Sequence, residues 1–219
     1  MGSISLNKLG GLSIVVGSLL SIIFYLIRPG AGIIGGNVDP ADAAASIGVL
    51  VANASMASLS FFFVPIGLIL FFFGIRTLVE GLQGSDGAAV ARLGVIFFLL
   101  ATVGWVTSSS LALVIAGDNA GGPAGSGVVY AISLGINIMS SIFGSLAFLL
   151  ISLGISNNSD YNKMFALVVA VISAVLLVAS VWAGQDLSML QTTSMVSGVG
   201  YLVTVAWVVT LGLNLMKKA

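Results

Sequence analysis

Six apolar runs, each long enough to cross a lipid bilayer, constrain this chain more than any other feature in it. They cover residues 9–27, 56–75, 93–115, 128–153, 164–182 and 198–215. A helix needs about 20 apolar residues to cross roughly 30 Å of hydrocarbon. None of the runs alternates with the two-residue period of a barrel strand. The connections are too short to hold a soluble domain. The expected fold is therefore all-α: one polytopic membrane bundle over residues 1–219, with six transmembrane helices and a helical extension over about residues 40–55.

Composition agrees. Of 219 residues, 58% are hydrophobic and 6% charged, against roughly a quarter charged in a soluble domain. So few charges do not cover a water-facing surface of this size, which leaves lipid as the solvent. Net charge is zero and there is no long basic run, which argues against a nucleic-acid partner. Cysteine and histidine are both absent. Their absence removes thiolate nucleophiles, the usual haem and zinc ligands and the usual proton shuttle. The first run has no small-residue cleavage site after it and is expected to be retained.

Basic residues set the expected orientation. Lys8, Arg76, Arg92, Lys163, Lys217 and Lys218 flank one end of the runs, and only Arg28 flanks the other. By the positive-inside rule both termini are expected in the cytoplasm, in a cell membrane. Asp39, Asp42, Asp118 and Asp186 then lie outside, where they are candidate contacts for a partner or a cation.

Helix ends carry capping signals. Asp39-Pro40 reads as an N-cap followed by proline at the first helical position. Ser85 or Asp86 is expected to cap the third span and Ser159 or Asp160 the fifth; Gly81 and Gly84 are expected to end the second. Residues 117–127, rich in glycine, read as a turn. They do not read as a phosphate loop, because no strand precedes them and no lysine follows.

Within the spans the pattern is one of side-chain size. Ser46, Asn53, Ser60, Gly67, Gly74 and Gly81 recur every seven residues, and Ser133, Asn137, Ser141 and Ser145 every four. Residues at these spacings share a helix face. The uninterrupted phase of the first series predicts one nearly continuous helix over residues 40–81, bent at most near Pro65. Small faces let helix backbones approach closely in lipid, where apolar burial contributes little to association. They are expected to be packing seams, or else their polar members Asn137, Ser133, Ser141, Ser145, Asn53 and Ser60 line a cavity. The phenylalanine triplets 61–63 and 71–73 are expected to face lipid and neighbouring helices. A duplicated helical hairpin is also consistent with the spacing, since Asp39 to Gly74 and Asp118 to Gly154 are nearly equal intervals.

Catalysis is not expected: there is no buried carboxylate, histidine or cysteine to act as a tuned base, and no cofactor or metal is implied. Ion-coupled transport usually keeps ionisable residues at membrane depth, and no Asp, Glu, Lys or Arg lies in the middle of a run. Two functions remain. One is an accessory or scaffold subunit acting through helix packing on a membrane-protein partner or on further copies of itself. The other is a passive permease, channel or binding protein for a small uncharged or lipid-like solute.

Overall fold

The computed structural model describes residues 4–30, 34–36 and 38–218. Among them there are seven α-helices and no strands: α1 (Leu6–Ile27), α2 (Ala43–Ala52), α3 (Ala54–Glu80), α4 (Ala88–Ala116), α5 (Gly122–Ser156), α6 (Lys163–Gln185) and α7 (Leu190–Lys217). All but α2 are long and apolar enough to cross a membrane, as expected of an integral membrane protein. Outward-facing residues are themselves apolar. On α6, for example, Val168, Val171, Val175 and Val178 share one exposed stripe, the face a helix presents to lipid tails.

The six long helices form a closed ring in chain order. Each packs on its predecessor and successor, and α7 returns to α1. Closure is tight at the basic end. A Cβ added to Gly212 would lie 2.8 Å from the Gly11 carbonyl oxygen, and the Asn7 amide donates to the Lys218 carbonyl at 3.3 Å. Within the ring, the first two hairpins share a seam design. Gly17 and Gly10 on α1 meet Gly67 and Gly74 on α3, where a Cβ on Gly67 would sit 2.8 Å from the Gly17 oxygen and one on Gly74 2.6 Å from the Gly10 oxygen. Gly87, just before α4, and Gly94 on α4 meet Gly154 and Ala147 on α5, with a Cβ on Gly154 falling 2.7 Å from the Gly87 oxygen. In both, two small residues seven apart face two more on the partner helix, so backbone meets backbone. The third hairpin differs: Gly200 on α7 approaches the side chains of Leu176 and Ile172 on α6.

Alongside these seams, toward the basic end, large side chains fill the ring. Ile14, Ile75, Leu78, Ile151, Ile155, Val169, Trp207, Val208 and Leu211 are at most 2% exposed and belong to one cluster.

Several local expectations are corrected. Residues 40–81 are two helices, interrupted at Asn53 (φ −118°, ψ 37°). The Asn53 amide bonds back to the Val49 carbonyl at 2.9 Å, a local bond that competes with the helix ladder. The break also turns α2 onto α4 and α5, burying Leu50 with Ala57, Phe61, Ala112 and Ile115. Pro65 lies inside α3, as the sequence implied. The cap of α2 is Asp42, whose carboxylate accepts from the Ala45 N–H at 3.0 Å; Asp39 instead accepts from Ala41 at 2.9 Å. Gly87, with no side-chain bond, precedes α4, and Asn162 caps α6. Residues 122–127 are the first turns of α5, because Pro123 sits at the start of the helix where its missing N–H costs nothing.

Candidate functional site

The upper half of the ring is not filled. Between the apolar plug and the Arg28 end lies a cavity of about 270 Å³, walled by all six long helices and by α2. Its wall follows from helical spacing. On α7 Ser194, Ser197, Tyr201 and Thr204 share one face; on α5 Tyr130, Ser133, Asn137 and Ser141 do; on α1 Ser18, Ser21 and Tyr25 do, with Arg28 at the helix's C-terminal cap.

Three levels can be distinguished. The floor is aromatic: Phe71 on α3, Phe98 on α4 and Phe148 on α5 stand with ring centroids 5.1–5.8 Å apart, and all three border the cavity. Such pairs are worth about 0.5–1.5 kcal/mol each beyond the area they bury. A middle level is polar and uncharged. Asn137, Ser141, Ser180, Ser197 and Tyr201 contribute to it, the Tyr201 hydroxyl lying beside Ser141 and Ser197. The rim is formed by Arg28, Pro29, Gly30, Val38, Pro40 and Ser46. There the Tyr130 hydroxyl donates to the Pro40 carbonyl at 2.7 Å, tying the segment before α2 to α5.

Hydrogen bonding separates structural from available polar groups. Ser133 is spent: its hydroxyl lies 2.8 Å from that of Ser108 on α4. Ser141 donates to the Asn137 carbonyl at 2.9 Å and meets the Tyr201 hydroxyl, and Ser21 donates to the Gly17 carbonyl at 2.8 Å. The Asn137 side-chain amide bonds no group among the described residues. The Ser180 hydroxyl is buried, 3% exposed, and has no partner among the described residues. An unmet amide or hydroxyl away from water is costly unless something else satisfies it.

Of the sequence-derived candidates, Asn137, Ser133 and Ser141 border the cavity. Ser145 and Ser60 do not; they are buried, and their hydroxyls have no partner among the described residues. Asn53 is exposed at the helix break. The four aspartates Asp39, Asp42, Asp118 and Asp186 form no metal-binding group among the described residues. Asp39 and Asp42 are helix-start acceptors, Asp118 takes a left-handed conformation (φ 54°) after α4, and Asp186 accepts from Ser188 N–H and Oγ at 3.0 and 2.7 Å. Those two bonds hold the Asp186 carboxyl below its ordinary pKa. The phenylalanine triplets are split: Phe62 faces outward, 57% exposed, whereas Phe61 and Phe71 border the cavity.

Sequence reasoning missed Ser180, Ser194, Ser197 and Tyr201. Ser194, Ser197, Tyr201 and Thr204 do form a stripe at helical spacing, a pattern already read on α5. Arg28 was also missed as a wall residue, although one basic residue alone at the opposite end was a visible anomaly.

The chain matches no protein-family model, no curated protein and no solved structure.

Proposed function

We propose that this chain is a non-catalytic integral membrane protein that holds a small lipid-like or largely uncharged organic molecule inside its helical ring. The observation that carries the reading is the cavity itself: a walled space with an aromatic floor and an unpaired Asn137 amide in its wall. Binding sites for small molecules combine apolar walls with a few convergent polar groups, and this cavity lies near the lower end of their usual range of about 300–1,000 Å³. Below the floor the packed cluster around Ile14, Ile75 and Trp207 blocks passage, which favours a binding chamber over an open channel. The distribution of basic residues favours both termini in the cytoplasm of a cell membrane, with the chamber in the outer half. The accessory-subunit function calls only for packing surfaces and gives the unpaired Asn137 amide no role.

The test is to extract the full chain in mild detergent and identify retained small molecules by native mass spectrometry, alongside a Ser141→Phe variant. Ser141 lies in the cavity wall, bonded to the Asn137 carbonyl of its own helix and beside the Tyr201 hydroxyl, and is no part of a glycine seam, so the larger ring fills the cavity and leaves the seams intact. Retention of a defined small molecule by the parent and its loss in the variant supports the chamber. Equal retention by both defeats it, and a stoichiometric protein partner with no small molecule points to the accessory-subunit function.

A further inference from the structure

The chemistry of the cavity's occupant can be narrowed, on the reading that the cavity is a binding chamber. Arg28 is the only charged residue among those that wall it. Arg28 is half-buried, and its guanidinium stands 5.1 Å from the centre of the Tyr25 ring and 5.7 Å from that of Phe61. Among the described residues it makes no ion pair and no hydrogen bond. Two carboxylates, Asp39 and Asp42, lie close enough to act with Arg28 on the Tyr130 hydroxyl, but neither forms an ion pair with Arg28 among the described residues. Asp39 accepts the Ala41 N–H and Asp42 the Ala45 N–H, and neither borders the cavity. Aromatic faces hold a cation in place without neutralising it. The result is a fixed positive fork, partly removed from water, at the mouth of a space that is otherwise neutral.

A guanidinium presents paired N–H donors that match the oxygens of a carboxylate or phosphate. At the other end, Phe71, Phe98 and Phe148 offer only apolar surface. Between them stand the buried, unpartnered Ser180 hydroxyl and the free Asn137 amide. Polarity therefore changes in one direction along the cavity, from cationic to neutral polar to apolar. We propose that the occupant is a small amphiphilic anion, its carboxylate or phosphate head on Arg28 and its apolar end on the phenylalanine floor.

The probe is radiolabelled decanoate, bound to the full chain in detergent. Competitors are decanol, decyl phosphate and a long-chain phosphatidic acid. Decanoate and decyl phosphate should bind roughly tenfold or more tightly than decanol, the difference a charge-assisted hydrogen bond makes. Arg28→Gln should abolish that preference and leave decanol binding unchanged. The comparison of heads on the unaltered chain needs no variant, so it stands even if Arg28→Gln folds poorly. Competition by decyl phosphate assigns the site to a free amphiphile; competition by phosphatidic acid alone assigns it to a membrane lipid, and either supports an anionic head. Equal binding of decanol and decanoate overturns the anionic head and leaves the chamber standing. Failure of every probe to bind, with no molecule retained on extraction, overturns the chamber as well.

Discussion

Ser108 on α4 and Ser133 on α5 bond each other reciprocally. Their hydroxyls lie 2.8 Å apart, and each also lies 3.1 Å from the other's backbone carbonyl. Neither is more than 8% exposed. Interhelical bonds of this kind contribute about 0.6 kcal/mol on average in a membrane and up to about 1.7. Replacing either serine by alanine should destabilise the fold within that range. The double variant should cost less than the sum, because both single changes remove the same bonds. Reversible unfolding in mixed micelles measures all three; additive losses would mean that the two serines do not act as a pair.

The glycine seams predict opposite outcomes at different glycines. Gly74→Leu places a side chain where a Cβ alone meets the Gly10 oxygen at 2.6 Å and the Ile14 nitrogen at 2.7 Å. Backbone does not yield as a flexible side chain does, so the loss should exceed about 3 kcal/mol, the upper end of ordinary overpacking. Gly135, within α5, has nothing within 4 Å of an added Cβ. There alanine should be neutral or stabilise by up to about 1 kcal/mol. Thermal denaturation of the two variants separates them.

Asn137→Leu tests whether the amide serves the fold or the cavity. With no partner among the described residues, the amide has no bond to lose, and an apolar substitute removes an unmet polar group. Stability should hold or rise slightly while affinity for a molecule with a polar group at that level falls roughly tenfold. A large loss of stability would show that the amide is structural.

The two ends of the molecule should answer to opposite extremes of pH. At the basic end, Lys218 bonds Asp160 at 2.7 Å and lies 4.9 Å from the Tyr161 ring centre. The Asp160 bond raises the Lys218 pKa, and burial raises that of Tyr161. A raised pKa means stability that is fully present below the unfolded-state value and lost as pH climbs through the folded one. The loop between α5 and α6 should therefore loosen above about pH 10. Lys218 and Asp160 are largely exposed, so the ion pair contributes no more than about 1 kcal/mol. At the other end, the lowered carboxyl of Asp186 favours the turn at Leu187–Met189 above the ordinary aspartate range and lets it go as pH falls through the depressed value. Hydrogen exchange of the two segments against pH reads both; matching responses would refute the assignment.

The spans were legible because hydrophobic length is a one-dimensional signal, and all six runs fall inside the six long helices. The glycines of α3 were legible as a seam for a similar reason: a spacing of seven fixes a face whatever lies opposite. What faced Asn137 was not legible. Its spacing from Ser133 and Ser141 defines a face of α5, but whether that face meets a helix or a void depends on how the ring closes. The Asn53 break was hidden too. Its cause is the contact of α2 with α4 and α5 and the back-bond to Val49, both of which override an unbroken small-residue series. The caps shifted by one to three residues because several Asp, Asn, Ser and Gly stand near each helix start, and only local backbone geometry selects among them.

The unlike third hairpin has a mechanical consequence. The α1–α3 and α4–α5 pairs interlock backbone to backbone at their glycines, so sliding either one means prising main chains past each other. The α6–α7 pair has no such lock, since Gly200 rests on the movable tips of Leu176 and Ile172. Yet Ser180, Ser194, Ser197 and Tyr201, a large share of the chamber's polar wall, ride on these two helices. Two hairpins are thus locked within themselves, whereas the third is held by its neighbours, α7 meeting α1 backbone to backbone at Gly11 and Gly212 near the basic end, so that any sliding of α6 against α7 would reshape the polar wall of the cavity.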